Sequence, residues 1–348
     1  MLDLPPGALA ALVGLLGGIL LGLSARLGNF CTLNALETAI WGGDQRRLRM
    51  WGIVLGVAII GTWTGVAAGG ITLSGTFYHS IEFNPLAAIF GGLMFGYGMA
   101  LAGNCGFGAL VRFGGGDLRS LVVLIVMGVF GFVALSGPLA PLRVALFEQV
   151  ETTAPQGAGQ AFAAVTGLPP LVLAVGLGLL LMGWAFAYAP LRSDRRMIVW
   201  GAIAGASVPL TFWGTSWVHE LSFGEVFVEG PSFTAPIGRT IIFLMTSTAG
   251  GITFSVGSVL GVMIGAFAGS MLRGLFRWEA CEDPRELGRQ VLGAAFMGVG
   301  GVIAIGCSVG QGVTAMATLA WSAPVTLAAI CLGGWFGLRG LIAGAQPD

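Results

Sequence analysis

The sequence contains no lysine: all sixteen basic residues are arginine. Charge of either sign is scarce, at 9% of residues, against roughly 25% in a soluble domain. Histidine occurs twice, as His79 and His219, and the five cysteines form no C-x-x-C pair. Each absence excludes a chemistry. A P-loop needs a lysine at the phosphates, so none is present. Without clustered His and Cys there is no local zinc site and no thioredoxin-type motif, and no metal or cofactor is expected. An odd cysteine count in an apolar chain argues against a disulfide framework. Zero formal net charge leaves no footprint for nucleic acid. No catalytic triad and no paired carboxylates stand out. The start, MLDLPPGALA, lacks a basic n-region and an A-x-A site, so no cleaved signal peptide is expected.

What remains is apolar and small. Hydrophobic residues make up 55% of the 348, and mean hydropathy is +0.89. Glycine contributes 60 residues, far above the usual ~7%. Small residues let membrane helices approach closely, because packing replaces the hydrophobic effect inside lipid. The composition predicts an all-α polytopic membrane protein, a single membrane domain over 1–348.

A window of about 20 apolar residues predicts nine spans: 9–27, 50–70, 85–103, 118–136, 169–188, 197–213, 250–270, 291–306 and 324–338. Four short apolar segments, 30–41, 105–114, 234–246 and 307–319, are too short to cross and are expected to be re-entrant or loop helices. Residues 141–150 are expected to lie on the membrane surface. With loops alternating sides, fourteen of the sixteen arginines fall on one side, and only Arg143 and Arg239 on the other. By the positive-inside rule the first side is cytoplasmic, which puts the N-terminus outside and the C-terminus inside.

Two stretches repeat. GGLMFGYGMALAGNCGFGALVR, from Gly91, returns as GAAFMGVGGVIAIGCSVGQGVT, from Gly293. At one offset Gly96 matches Gly298, Gly98 matches Gly300, Cys105 matches Cys307 and Gly108 matches Gly310. This predicts repeat 1 over about 9–136, a linker with the fifth helix over 137–196, and repeat 2 over about 197–339. Because five spans precede the sixth, the second repeat is inverted. Paired broken helices in inverted repeats are a transporter architecture with its site near the midplane.

Cys31, Cys105 and Cys307 each open a short segment just after a helix break. A thiol there offers a weak S–H donor beside helix N-termini that attract anions, which suits a soft, sulfur-bearing anion. Cys331 lies inside the ninth helix and Cys281 in the charged cytoplasmic loop; neither is assigned a role. Asn34, Asn104 and Gln311 lie within four residues of these thiols and are candidates to line the same path. Asn104 is equally a candidate cap for its short helix. Arg239, in a short segment on the outer side, is a candidate for anion capture, whereas Arg26 and Arg112 are read mainly as topology markers. No acidic residue falls at mid-span, so no proton relay is read.

At RLGNFCTLNA, GYGMALAGNCGFGALVR and GVGGVIAIGCSVGQGVT, in that order, the chain resembles the YeeE/YedE family of bacterial sulfur-transport membrane proteins over its full length. The resemblance implies an hourglass-like fold of nine spanning helices with short loop helices, in the bacterial inner membrane, and uptake of thiosulfate. It also implies that Cys31, Cys105 and Cys307 hand the anion along by S–H hydrogen bonds. A small cytoplasmic sulfur-carrier protein is a candidate partner besides the anion and the bilayer. Three other readings stay open: transport of another sulfur or selenium species, a membrane sulfurtransferase working through a cysteine persulfide, and a structural subunit of a partner permease.

Overall fold

The computed structural model describes residues 4–154, 156–248, 250–280 and 283–345, so Cys281 lies outside the described residues. Among the described residues there is no strand, only three isolated bridges. In chain order the helices are α1 (Pro6–Gly28), α2 (Thr32–Ile40), α3 (Arg46–Ala67), α4 (Phe77–Ser80), α5 (Pro85–Ala102), α6 (Gly106–Gly114), α7 (Leu118–Leu135) and α8 (Ala140–Leu146). They continue as α9 (Ala158–Thr166), α10 (Pro170–Phe186), α11 (Ala189–Arg192), α12 (Arg195–Leu221), α13 (Ala235–Thr246), α14 (Phe254–Leu272), α15 (Pro284–Ile303) and α16 (Ser322–Ala345). The protein is an all-α, multi-pass membrane protein.

All nine segments expected to span are helical, and seven stretches are long and apolar enough to cross a membrane. The other two are α10, with 17 residues, and α15, whose first two turns carry Arg285, Glu286 and Arg289. Helix starts follow their capping chemistry. Asn84 accepts from Leu86 N and Ala87 N, each at 3.1 Å, with Pro85 pre-set for the first turn. Asp117, Asp194 and Asp283 cap α7, α12 and α15 in the same way. Of the four short segments, three form the helices α2, α6 and α13. The fourth departs from that expectation: after Cys307 the chain makes a turn and a π-helix, Gly310–Ala315.

Glycine sets the helix packing. Gly14, Gly18 and Gly22 of α1 face backbone carbonyls of Phe254, Ser258 and Val262. Gly257, Gly261 and Gly265 of α14 face Ala11, Leu15 and Ile19 in return. The two helices run parallel, at a separation that leaves no room for any Cβ at these positions. Helices α5 and α15 meet through two reciprocal pairs. A Cβ on Gly91 or Gly300 would lie 2.8 Å from the other's carbonyl oxygen, and one on Gly98 or Gly293 would lie 2.5 or 2.6 Å from the other's. Since Gly91 meets Gly300 and Gly98 meets Gly293, this pair is antiparallel.

These contacts obey a two-fold exchange. Swap α1, α2, α3, α5, α6 and α7 for α12, α13, α14, α15, the turn after Cys307 and α16. Contact α1–α14 then becomes α12–α3, α5–α16 becomes α15–α7, and α13–α7 becomes α2–α16, each of which is present. The self-paired contacts α5–α15 and α1–α12 sit on the axis, and both are antiparallel, the second pairing Val13 with Gly214 and Gly28 with Trp200. Equivalent helices therefore run in opposite directions, as in an inverted repeat. Helix α10 lies outside the exchange, against α3.

Candidate functional site

Three helices end in a left-handed or strained residue, and a cysteine follows each break. Asn29 (φ 60°) ends α1 before Cys31, Gly103 (φ 71°) ends α5 before Cys105, and Ile305 (φ 55°) follows α15 before Cys307. For β-branched Ile305 that backbone costs on the order of 1–3 kcal/mol and persists only where its surroundings hold it. The holder is Gln311, buried at 1% exposure, whose Nε2 donates to Ala304 O (2.9 Å) and Ile305 O (3.1 Å). Gln311 Oε1 accepts from Ser322 Oγ at 3.3 Å. Gln311 thus braces the break that presents Cys307.

The breaks converge. Cys105 caps α6, its Sγ accepting from Gly108 N at 3.4 Å. Cys307 Sγ accepts from Gly310 N at 3.3 Å, the equivalent contact in the second repeat, and also from Phe233 N at 3.3 Å. Cys31, Cys307 and the hydroxyl of Ser308 are neighbours of Cys105. Residues beside the thiols also meet: the ring of Phe107 packs against Phe30 (centroids 6.1 Å apart) and Phe233 (5.2 Å). Cys105 and Cys307 are buried, and Cys31 is partly exposed. Cys331 lies apart in α16, lining an apolar crevice with Trp51 and Leu181.

The position equivalent to Cys31 is Thr234, which precedes α13 as Cys31 precedes α2. Among the described residues its buried Oγ1 has no hydrogen-bond partner, nor does Asn104 Oδ1, and the only group beside Ser308 Oγ is the Cys105 thiol. A group of orphaned polar atoms around the thiols is unusual, since buried polar atoms are normally paired. Asn104 does not cap its helix; the thiol of Cys105 does. Asn34 Oδ1 accepts from Arg47 and so is turned toward α3. Ser308, Thr234 and Phe233 carried no signal in the sequence, because only the fold brings residue 233 to residue 307.

Between Thr234, Gly306 and the loop before α13 lies a cavity of about 230 Å³, lined also by Tyr78, Ser232 and Arg239. Of its lining residues, Gly306 precedes Cys307 in the chain, and Ser232 and Thr234 flank Phe233. Arg239 is engaged there: Nη1 sits 3.4 Å from Glu229 Oε1 and donates to Ser255 Oγ at 3.2 Å. At the opposite end of the thiol cluster, arginines hold helix C-termini. Arg196 Nε and Arg273 Nη2 both donate to Leu27 O at 2.8 Å, and Arg112 Nη2 donates to Gly103 O at 3.1 Å. Arg26 Nε donates to Ser270 Oγ at 2.6 Å. Cations there complement the helix dipoles of α1 and α5. The described residues contain no cluster of three or more His, Cys, Asp or Glu able to hold a metal ion.

Residues 27–336 match the family model described as sulphur transport. The chain is 27% identical over 335 residues to the thiosulfate transporter TsuA of Escherichia coli (strain K12), covering 93% of this chain and 92% of that one. It is 24% identical over 331 residues to the thiosulfate transporter TsuA of Spirochaeta thermophila, covering 92% and 96%. The match takes in the breaks at Cys31, Cys105 and Cys307 and both repeats around them, and the chain belongs to the sulphur-transport family.

Proposed function

We propose that this protein takes up thiosulfate, or a closely related small sulfur anion, across the bacterial inner membrane, past Cys31, Cys105 and Cys307. The observation that carries the reading is the convergence of three thiols from three separate helix breaks, with Cys31 and Cys307 both close to Cys105. The thiols donate weak S–H hydrogen bonds to the anion's sulfur and oxygen atoms, and no covalent bond forms. The two named relatives and the family match support the substrate class. The arginine distribution supports a periplasmic N-terminus and a cytoplasmic C-terminus. On that orientation the cavity at Arg239 opens outward, Cys307 lies beneath it, and Cys31 lies toward the arginine-rich inner face. That inner face, with Arg26, Arg112, Arg196 and Arg273, is where a small cytoplasmic sulfur carrier would dock.

The test is uptake of radiolabelled thiosulfate into proteoliposomes, with sulfate, sulfite, sulfide and selenite as competitors. Cys105→Ala is expected to abolish most uptake; uptake equal to wild type refutes the thiol path. The enzyme alternative, a sulfurtransferase, needs a persulfide on one of the cysteines. Intact-mass spectrometry after thiosulfate exposure distinguishes the two, since transport without covalent change adds no sulfur mass.

A further inference from the structure

Among the described residues, the outer cavity is lined by one cationic side chain, Arg239, and one acidic side chain, Glu229, and they face each other. We propose that Glu229 is a tethered competitor for the transported anion: its carboxylate occupies the anion seat formed by Arg239, Ser255 and the start of α13. An anion entering from outside loads the cavity only when that carboxylate is displaced or protonated. The proposal rests on the uptake reading above and adds the group that governs loading.

The seat has the features an anion needs. Helix α13 starts without a side-chain cap, and its first residues, Ala235 and Pro236, line the cavity. The N-terminus of a 12-residue helix attracts negative charge. The hydroxyl of Thr234, at 2% exposure, lines the same cavity and has no partner. Ser255 Oγ donates to Glu229 Oε2 at 3.2 Å and accepts from Arg239 Nη1 at 3.2 Å. Glu229 thus sits where an oxyanion would.

Its hold on the seat is loose at the side chain and firm at the backbone. Arg239 makes a single contact at 3.4 Å instead of a bidentate pair, and among the described residues only its Nη1 is engaged. The Glu229 backbone is fixed, because its carbonyl accepts from Thr215 Oγ1 at 3.1 Å. Thr215 is six residues before the end of α12, about 9 Å along the helix at 1.5 Å per residue. The same loop runs on to Pro231, whose carbonyl accepts from Thr314 Oγ1 at 2.6 Å, and to Phe233 at Cys307. The carboxylate can therefore swing while the loop that holds Cys307 stays in place.

Protonation acts on the same contact. Glu229 belongs to the loop between α12 and α13, outside the spanning helices, and burial raises its carboxyl above the usual range, opposed by Arg239 and Ser255. The other groups around it are Tyr78 on α4, itself near Cys307 and Ser232, and Gln149, held by Arg143 at 3.0 Å. His219 on α12 is turned away, its Nδ1 2.6 Å from Val226 O. Glu220 and Glu225 are exposed to solvent.

The experiment measures initial thiosulfate uptake by proteoliposomes at external pH 5 to 8 with internal pH fixed. Thiosulfate and sulfate binding to the detergent-purified protein are measured by calorimetry over the same range. Wild-type KM is expected to fall severalfold as external pH drops, by about tenfold per unit at most, the limit for one proton. Glu229→Gln is expected to have a KM severalfold below wild type at pH 8 and no pH dependence. Glu229→Asp, which draws the carboxylate back from Arg239, is expected to fall between them and to keep its pH dependence. His219→Gln is expected to keep the wild-type profile. A wild-type KM independent of external pH, or a Glu229→Gln KM at or above wild type, overturns the proposal. If wild type transports no thiosulfate at any pH, the uptake reading fails, and sulfate binding still decides the gate: tighter binding in Glu229→Gln supports it, and equal or absent binding in both proteins overturns it.

Discussion

Replacing Cys307 by alanine separates the thiol's structural work from any role in transport. Its sulfur accepts two backbone N–H groups, from Phe233 and Gly310, both at 3.3 Å, whereas the sulfur of Cys105 accepts one, from Gly108 at 3.4 Å. A stranded buried donor costs about 1–3 kcal/mol. Sulfur is a weak acceptor, and membrane hydrogen bonds average about 0.6 kcal/mol, so the low end applies. Cys307→Ala should therefore lose roughly 2 kcal/mol and Cys105→Ala roughly 1 kcal/mol. Cys307→Ser keeps an acceptor for both donors and should stay within about 1 kcal/mol of wild type. The assay is denaturant unfolding in detergent, run on the preparations used for thiosulfate uptake. A Cys307→Ser protein of wild-type stability with no uptake assigns the loss to the thiol itself. Equal destabilisation in Cys105→Ala and Cys307→Ala, or in Cys307→Ser and Cys307→Ala, would refute the claim that Sγ of Cys307 holds the loop at Phe233.

Three further outcomes follow from the packing. Gly261→Leu puts a side chain into the Leu15 carbonyl, forces α1 from α14 and costs more than the 1–3 kcal/mol typical of overpacking; size-exclusion chromatography should show loss of the monodisperse protein, and an intact fold refutes the close approach. Gln311→Leu removes both bonds that hold the Ile305 break, so it should cost about 2 kcal/mol and reduce uptake; unchanged unfolding refutes the brace. Ser308→Ala removes a buried hydroxyl whose one neighbour is the weakly bonding Cys105 thiol, so unfolding should stay within about 0.5 kcal/mol of wild type, while KM for thiosulfate rises; an unchanged KM removes Ser308 from the path.

Much of the site was legible because it is local. A cysteine directly after Gly103–Asn104 or Ile305–Gly306 can be read along the chain, and the helix breaks fall where these motifs place them. Roles set by long-range partners were not legible. Gln311 reads as a path residue from its spacing to Cys307, yet its amide is committed to two backbone carbonyls. Arg239 reads as a candidate for anion capture, and only the fold shows that it meets Glu229, a residue that the acidic loop 219–229 gives no reason to single out. The short segment after Cys307 reads as a helix like the others and forms a π-helix instead.

The sequence alone determined that this chain lives in a membrane. With 9% charged residues and apolar runs long enough to span, burial in water-soluble form has no way to proceed. It also determined the repeat, because glycines at a fixed offset are a property of the chain itself. Only the tertiary structure decided which helices the glycines bring together, and that equivalent helices of the two halves run antiparallel. Glycine permits close approach to any helix and names no partner. Tertiary structure likewise placed Phe233 between Cys307 and Phe107, and Glu229 against Arg239, because contacts between distant residues depend on how the two repeats cross.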